Sequence, residues 1–171
     1  MLEKTIEAGN LRSAKTREAW IMPDKATSRE FFDELSAFNR KLRSGFDALV
    51  RKRGMTLARA RVFFALAEKD GINQRELAEL LELETPTLVR ILDAMEGQKF
   101  IERRPAETDR RAKRIHTTDA GKVIAGEIDA LASRVRAEIL EGISDADRAT
   151  ALKVIRKMAA NLPYIGKDEV A

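Results

Sequence analysis

Basic side chains crowd one short stretch of this 171-residue chain. Residues 99–117 hold seven Lys or Arg against three Asp or Glu. Guanidinium and ammonium groups at this density are suited to bind phosphate oxygens, which duplex nucleic acids present in regular rows. The alternative for each side chain is a place in a solvated basic hairpin with no partner. The expected phosphate contacts are Arg103, Arg104, Arg111, Lys113 and Arg114.

Two neighbouring residues in the same stretch carry more specific expectations. Arg110 is the first candidate for insertion into a minor groove, because a narrow A·T tract concentrates negative potential there. Asp109 is expected to orient an arginine, since a bare carboxylate that faces phosphates is repelled by them. We therefore expect the stretch to approach a nucleic acid most closely at this pair.

The segment 85–98 is a second candidate surface with a different balance of charge. It contains Arg90 against two acids, Asp93 and Glu96. Arg90 has the geometry to bind guanine O6 and N7 together, a contact worth about 1–3 kcal/mol of discrimination, and Thr87 is expected to touch a thymine methyl or a phosphate. The alternative is that Arg90 pairs with one of the two acids along the helix.

Hydrophobic periodicity predicts helices as the elements that position these side chains. Apolar residues recur at steps of three and four over residues 28–53, which indicates one long amphipathic helix that ends at Gly54. Thr56, Asn73 and Thr85 are expected to cap three shorter helices, because each precedes a short apolar stripe. Thr85 is also a candidate DNA contact, since the free N–H groups of a helix N-terminus suit a phosphate.

The basic stretch itself is expected to form a β-hairpin. Residues 100–103 and 111–117 are compatible with strands, and the segment 104–110 between them is rich in turn-forming residues. A long helix capped by Thr118 and a last helix capped by Ser144 complete the chain. This order predicts a mainly α fold with a small β-hairpin wing, a winged helix-turn-helix flanked by long N- and C-terminal helices.

Composition narrows the classes of function. The chain has no cysteine, which excludes a thiolate zinc site and thiol redox sensing. Its one histidine, His116, further weakens the case for a metal site or for Ser/His catalysis. We expect no enzyme activity, no metal and no cofactor, and a structural or surface position for His116. There is no run of about 18 apolar residues, and residues 1–27 lack the apolar core of a secretory signal. These features predict a cytoplasmic protein with no membrane partner.

Four short motifs in these elements resemble the MarR family of transcription regulators, nearest its SlyA-like branch. They are residues 74–78 (QRELA), 85–90 (TPTLVR), 100–103 (FIER) and 109–114 (DRRAKR). The most discriminating is the Asp-Arg-Arg wing, which is followed by a Thr-rich strand end and by Ala120-Gly121 at the family's spacing. The resemblance covers about residues 30–160.

The resemblance implies a homodimer on a palindromic operator in double-stranded DNA, because two-fold symmetry in the protein is matched by two-fold symmetry in the site. Each helix 85–98 would lie in a major groove with each wing near a minor groove, and the regulator is expected to act as a repressor. The expected parts are an N-terminal arm at 1–27, a dimerisation helix at 28–54, a winged helix-turn-helix lobe at 55–117 and C-terminal dimerisation helices at 118–171, all in one continuous domain.

The resemblance also implies a small aromatic or phenolic anionic effector that releases the DNA. We expect Phe38, Leu42, Arg61 and Phe64 to line its pocket, because they supply the apolar and cationic groups that an aromatic carboxylate requires. The alternative for Phe38 and Phe64 is an ordinary place in the hydrophobic core.

A different class of function also fits the predicted fold. A winged helix can dock another protein, with the long terminal helices as the adaptor. Such a protein-interaction adaptor would bind duplex DNA weakly and almost independently of sequence, which is the observation that separates it from a regulator.

Overall fold

A computed structural model describes residues 24–105 and 113–162 of the chain. The chain divides into two compact units, residues 1–44 and 45–171. In chain order, the elements are α1 (Lys25–Arg51), α2 (Leu57–Glu68), β1 (Ile72–Asn73), α3 (Gln74–Leu81), α4 (Thr85–Gly97), β2 (Ile101–Pro105), β3 (Lys113–Thr117), α5 (Asp119–Ile139) and α6 (Asp145–Asn161). This mainly α architecture with a small sheet confirms the predicted fold class.

The described part of the first unit belongs to α1 and its cap. The helix begins at Lys25, three residues before the predicted Ser28, because the carboxylate of Asp24 accepts a first-turn N–H at 3.3 Å. None of residues 24–44 is buried. Four large apolar side chains are between 37% and 57% exposed: Phe31, Phe32, Leu35 and Phe38. This unit therefore presents an apolar stripe that its described residues leave open to solvent.

The second unit has a continuous hydrophobic core. It contains the end of α1, the helices α2 to α5 and the sheet. The largest fully buried side chains include Val50, Phe63, Leu77, Leu88, Leu92, Met95, Ile101, Ile115 and Ile128. The three from α4 lie at the positions that the helical period predicted to face inward. Burying a large apolar side chain contributes about 1.5–3 kcal/mol to the free energy of folding. This core is therefore the main source of stability.

Four helices begin at side-chain caps that the sequence predicts. Each capping oxygen accepts the N–H three residues further on, at 3.3 Å for Thr56, 2.8 Å for Asn73, 3.0 Å for Thr118 and 3.1 Å for Ser144. A cap of this kind satisfies one otherwise unpaired helix donor and contributes about 1 kcal/mol. The starts of α2, α3, α5 and α6 are thus fixed by local chemistry.

The sheet has three antiparallel strands in the order β1-β3-β2. β2 and β3 form the predicted hairpin wing, and the pair Pro105 and Lys113 is the last described pair toward its tip. β1 was not predicted, because a two-residue strand shows no alternation of apolar and polar residues. Its Ile72 pairs with Ile115, and both are buried, so β1 joins the wing to the core.

α5 starts very close to the backbone that leads into β2. The carbonyl oxygen of Phe100 accepts the Thr118 N–H at 3.1 Å, and the Thr118 hydroxyl donates to the Lys99 carbonyl at 2.6 Å. A Cβ at Gly121 would overlap the Phe100 carbonyl oxygen. The glycine of the Ala-Gly pair in the sequence motif is therefore required by this approach of two backbones.

α6 differs from the other helices of the second unit because none of its residues is buried. Its large apolar side chains are about half exposed: Leu152 46%, Val154 44% and Ile155 50%. Leu152, Ile155 and the partly buried Met158 recur at helical spacing, as the sequence predicts. The apolar face they form has no cover within the described chain.

Candidate nucleic-acid interface

The connection between α3 and α4 is tight. Glu82 ends α3 in the left-handed conformation with φ 52°, and its N–H donates to the carbonyl oxygens of Ala78 and Glu79. Three residues, Glu82 to Glu84, separate α3 from α4. A short helix, a tight turn and a second helix in this order define a helix-turn-helix.

Thr85 does not cap α4, and that part of its predicted role is wrong. The extended residue before the helix is Glu84, whose carbonyl oxygen accepts the N–H groups of Thr87 and Leu88 at 3.0 and 3.1 Å. Pro86 therefore sits one position deeper than expected, which is tolerated because the second N–H of a helix also lacks a partner. The exposed Thr85 lies in the first turn of α4, and its predicted DNA contact stays a prediction.

The two sides of α4 have different surroundings. Leu88, Leu92 and Met95 are fully buried, whereas Thr87 and Arg90 are exposed. Among residues 24–105 and 113–162, Arg90 forms no ion pair, so the predicted alternative of a pair with Asp93 or Glu96 does not occur there. The exposed face of α4 therefore carries a cation and a hydroxyl that are available to a ligand.

The carboxylates of α4 are bound by Arg103 of the wing. Arg103 Nη2 donates to Asp93 Oδ1 at 2.7 Å, Nη1 donates to Glu96 Oε2, and the Arg103 backbone N–H donates to Glu96 Oε1 at 3.2 Å. The Arg103 side chain is only 15% exposed. The sequence predicts that Arg103 contacts a phosphate, and that contact stays a prediction. In this structure its guanidinium donates hydrogen bonds to two carboxylates.

The other predicted phosphate contacts differ in the hydrogen bonds that their side chains form within the chain. Arg104 donates to the neighbouring carboxylate of Glu102, and Arg114 Nη1 donates to the Gly71 carbonyl at 2.8 Å. Arg104, Lys113 and Arg114 are all exposed, so each still presents positive charge to solvent. Asp109, Arg110 and Arg111 lie outside the described residues, and their roles stay predictions.

The base of the wing is fastened to the turn between α2 and β1. Asp70 Oδ2 lies 2.8 Å from His116 Nδ1, and Asp70 Oδ1 accepts the Thr117 N–H at 2.9 Å. Burial by itself raises the pKa of the Asp70 carboxyl, but the hydrogen bonds with Thr117 and His116 outweigh it and hold that pKa below its ordinary value. His116 thus has a structural position, while the carboxylate that binds it was not predicted.

Gly71 completes this contact between the turn and the wing. It adopts φ +74°, and a Cβ there would come within 2.8 Å of His116 Cε1. The sequence indicates a turn at Asp70-Gly71, but it gives no sign that the turn meets the wing, because 46 residues separate Asp70 from His116. A missed long-range contact of this kind leaves no local pattern in a single sequence.

Negative charge concentrates at the helix-turn-helix connection. A shallow hollow of about 390 Å³ there is lined by three glutamates, Glu79, Glu82 and Glu84, and by one arginine, Arg75, which pairs with Glu79 at 3.0 Å. Phosphate groups are repelled by such a surface. Electrostatic attraction to a nucleic acid is therefore expected from the wing and from Arg90 rather than from this turn.

The predicted effector-pocket residues belong to both units of the chain. In the first unit, Phe38 is 49% exposed and Leu42 is partly buried. In the second unit, Arg61 Nη2 donates to the Leu81 carbonyl at 2.8 Å, and the Phe64 ring lies 6.2 Å from that of Phe46. Arg61 and Phe64 therefore have structural contacts of their own, and their grouping as a pocket stays a prediction.

No helix in the described ranges is long and apolar enough to cross a membrane. The same ranges contain no group of three or more His, Cys, Asp or Glu side chains placed to hold a metal ion.

The helix-turn-helix and the three-stranded wing define a winged helix-turn-helix protein. A protein-family model described as MarR family matches residues 53–112. The transcriptional regulator PA3341, a solved structure, is 36% identical with a TM-score of 0.72, and the match covers 78% of this chain and 98% of that one. This chain therefore belongs to the MarR family of transcription regulators.

More distant structures share the same fold. The transcriptional regulator SlyA is 23% identical with a TM-score of 0.68, over 77% of this chain and 93% of that one. A MarR family protein from Bacillus stearothermophilus is 21% identical with a TM-score of 0.71, over 82% and 98%. At these identities the likeness concerns the fold alone, so the expected nearness to the SlyA-like branch stays a prediction.

Proposed function

We propose that this protein is a homodimeric repressor that binds a palindromic operator in duplex DNA. In each protomer α4 lies in a major groove, while the wing between β2 and β3 contacts phosphates and reaches toward a minor groove. The protein acts in the cytoplasm, where it blocks transcription by occupying its operator. The observation that carries the proposal is the exposed outer face of α4, which presents Arg90 without an ion-pair partner in the described chain.

Base reading follows from the chemistry of that face. Arg90 projects from a helix whose opposite side is anchored by Leu88 and Leu92 in the core, so the backbone that carries it is held in place. An arginine presented in this way can donate two hydrogen bonds to guanine in the major groove. Thr87 is one turn nearer the helix start, where it can touch a thymine methyl group or a phosphate.

The wing supplies the charge that α4 lacks. Arg104, Lys113 and Arg114 are exposed on β2 and β3, whereas the helix-turn-helix connection is lined by glutamates. We expect each wing cation that contacts a phosphate to add about 0.9 to the steepness with which affinity falls as salt rises. Arg110 is proposed to enter the minor groove, which adds a preference for narrow A·T tracts.

Dimerisation explains the uncovered apolar faces. The first unit exposes Phe31, Phe32, Leu35 and Phe38, and α6 exposes Leu152 and Ile155. Exposed apolar surface on this scale favours burial against a second copy. A two-fold dimer then presents two α4 helices to two equivalent half-sites, which is why the operator is proposed to be palindromic.

The test is binding of the purified protein to the DNA that flanks its own gene, measured by fluorescence anisotropy at several salt concentrations. We expect tight, salt-dependent binding to one inverted repeat. Arg90→Ala should relax the preference at one base position and cost about 1–3 kcal/mol. Arg110→Ala should weaken binding to sites with a narrow A·T tract. Lys157→Ala removes one positive charge from the side of α6 away from Leu152 and Ile155, so it is the control and should leave binding unchanged.

The opposite result would favour another function. If the wild-type protein binds the flanking DNA no better than random duplex and Arg90→Ala has no effect, the regulator proposal fails. The winged-helix protein-interaction adaptor then becomes the better description.

Release by a small aromatic or phenolic anion is a separate proposal, which rests on the resemblance to the family. A ligand can shift the dimer away from the operator only if it binds the non-operator conformation more tightly. Benzoate and a hydroxybenzoate are suitable probes. We expect them to raise the melting temperature and to weaken operator binding, with both effects reduced in Phe38→Ala. If neither effect is seen with either probe, the effector proposal is wrong for this class of ligand.

A further inference from the structure

We propose that Arg103 is a positioning residue that braces the wing against α4, so that the DNA-reading helix and the wing keep one relative orientation. The inference rests on the proposed DNA binding, since its purpose is to present two contact surfaces to one duplex. It assigns Arg103 a role different from the phosphate contact that its place in the basic stretch suggests.

The contacts of Arg103 link β2 to α4, the helix that precedes it in the chain. Its guanidinium binds Asp93 and Glu96 at the same time, and its backbone N–H adds a third hydrogen bond to Glu96. Asp93 and Glu96 lie three residues apart and share one face of α4. Arg103 lies in β2, opposite Ile115 of β3. Motion of the hairpin relative to α4 would therefore break three hydrogen bonds together.

The environment of Arg103 argues against a role as a free phosphate ligand. Its side chain is 15% exposed, whereas that of its neighbour Arg104 is 58% exposed. To reach a phosphate, Arg103 would have to leave two carboxylates and strand them without their partner. The arginine is the mostly buried partner, since the side chains of Asp93 and Glu96 are 59% and 40% exposed. Leaving the two acids would give up the hydrogen bonds that satisfy its guanidinium.

The brace also changes the charge that α4 presents. Asp93 and Glu96 are the acids of the reading helix, and an uncompensated carboxylate near a duplex repels phosphates. Because Arg103 binds both acids, neither competes for Arg90. Arg103 thus fixes the orientation of the wing and leaves Arg90 available to the bases.

The experiment compares four variants of the full-length protein on the inverted repeat that the wild type selects, over about 50–200 mM salt. They are Arg103→Ala, Arg103→Lys, the pair Asp93→Asn with Glu96→Gln, and the combination of that pair with Arg103→Ala. Arg104→Ala is the matched control, because it removes the same charge from the next position of the same strand. Affinities are measured at a temperature at which every variant is folded.

A brace predicts a particular set of results. Arg103→Ala should weaken operator binding about tenfold without change in the salt dependence, and Arg103→Lys should recover part of the loss. Adding Arg103→Ala to the pair Asp93→Asn with Glu96→Gln should cost much less than Arg103→Ala costs in the wild type, because the contact is already lost in that pair. Arg104→Ala should lower the salt slope by about one if Arg104 contacts a phosphate.

The opposite pattern would overturn the proposal. If Arg103→Ala lowers the salt slope by about one and costs as much affinity without the two acids as with them, Arg103 is a phosphate contact. If Arg103→Ala leaves affinity unchanged, it has no positioning role.

A measurement on the free protein keeps this result separate from the proposed function. Amide hydrogen exchange in Arg103→Ala should accelerate in β2 and β3 and remain slow in α2 and α3. Acceleration throughout the second unit would mean that Arg103 contributes only general stability, and the brace would be rejected. If the wild type selects no operator, the proposed function fails, and the exchange pattern alone then decides whether the brace exists.

Discussion

The helices α4 and α6 contrast in what holds them in place. α6 has a side-chain cap at Ser144 and buries no residue, whereas α4 has no side-chain cap and fully buries Leu88, Leu92 and Met95. The helix with the better local start signal is thus the one without a core. Local signals determine that each segment is helical. Packing determines whether the apolar face of the helix is buried within its own chain.

The same contrast divides the molecule by function. The core around α4 is covered within the chain, so the winged helix-turn-helix has the fixed surfaces that base reading requires. We propose that another copy of the chain covers the exposed apolar side chains of α6 and of residues 25–44. The stability of the core around α4 should be independent of protein concentration, whereas the stability of α6 and of residues 25–44 should depend on it.

The largest expected effect comes from shortening a leucine in the core. Leu92→Ala should lower the free energy of unfolding by about 2–5 kcal/mol, because it leaves a cavity in a fully buried site. Leu152→Ala in α6 is the matched change at a half-exposed site. It should alter mainly the part of stability that depends on protein concentration, measured by urea unfolding at two concentrations about a hundredfold apart. An equal loss at both concentrations would show that α6 packs within its own chain.

A glycine pair in α5 gives the next largest effect. Gly121→Ala should destabilise by about 1–3 kcal/mol or more, since the new methyl group meets the Phe100 carbonyl oxygen. Gly126→Ala, in the same helix with open space around it, should stabilise by about 0.4–1 kcal/mol. Thermal unfolding of the two variants measures both effects. If Gly121→Ala is as stable as Gly126→Ala, the close approach of α5 to the start of β2 is wrong.

A charge on the exposed face of α6 tests the proposed dimer directly. Ile155→Lys should weaken self-association about tenfold or more, because a lysine in an apolar interface loses hydration without a partner. Thr150→Lys places the same charge elsewhere around the exposed helix and should leave association unchanged. Sedimentation equilibrium measures both. If Ile155→Lys remains as dimeric as the wild type, the α6 face is covered by something other than a second copy.

Periodicity and capping chemistry are sufficient to predict most of the framework. The inward positions of α4 and the caps at Thr56, Asn73, Thr118 and Ser144 are local properties, which depend on residues within about one helical turn. The start of α4 was displaced by one residue, because proline is tolerated at more than one position of a first turn. β1 was missed, since its two residues are strands only through their pairing with β3.

The details of the site depend on contacts between distant segments. Sequence reasoning grouped Arg103 with the free wing cations, because a run of basic residues does not show which of them faces an acid. One signal was present: Asp93 and Glu96 share a helix face and precede Arg103 by ten and seven residues. The link of Asp70 to His116 leaves no such signal, since the fold alone brings the two residues together.

The smallest effect concerns that link and depends on pH. The native pKa of Asp70 lies below its value in an unfolded chain, about 3.9. Its carboxylate therefore stabilises the fold above about pH 4, and this contribution disappears as the pH falls through the native pKa.

Asp70→Asn should cost less than about 1 kcal/mol at pH 7, because half of the side chain is exposed and water screens its charge. The difference in melting temperature from the wild type should shrink as the pH is lowered below about 4, since the wild-type carboxyl is then neutral as well. A difference that stays constant from neutral pH down to the native pKa would show that Asp70 acts through shape and hydrogen bonding rather than through its charge.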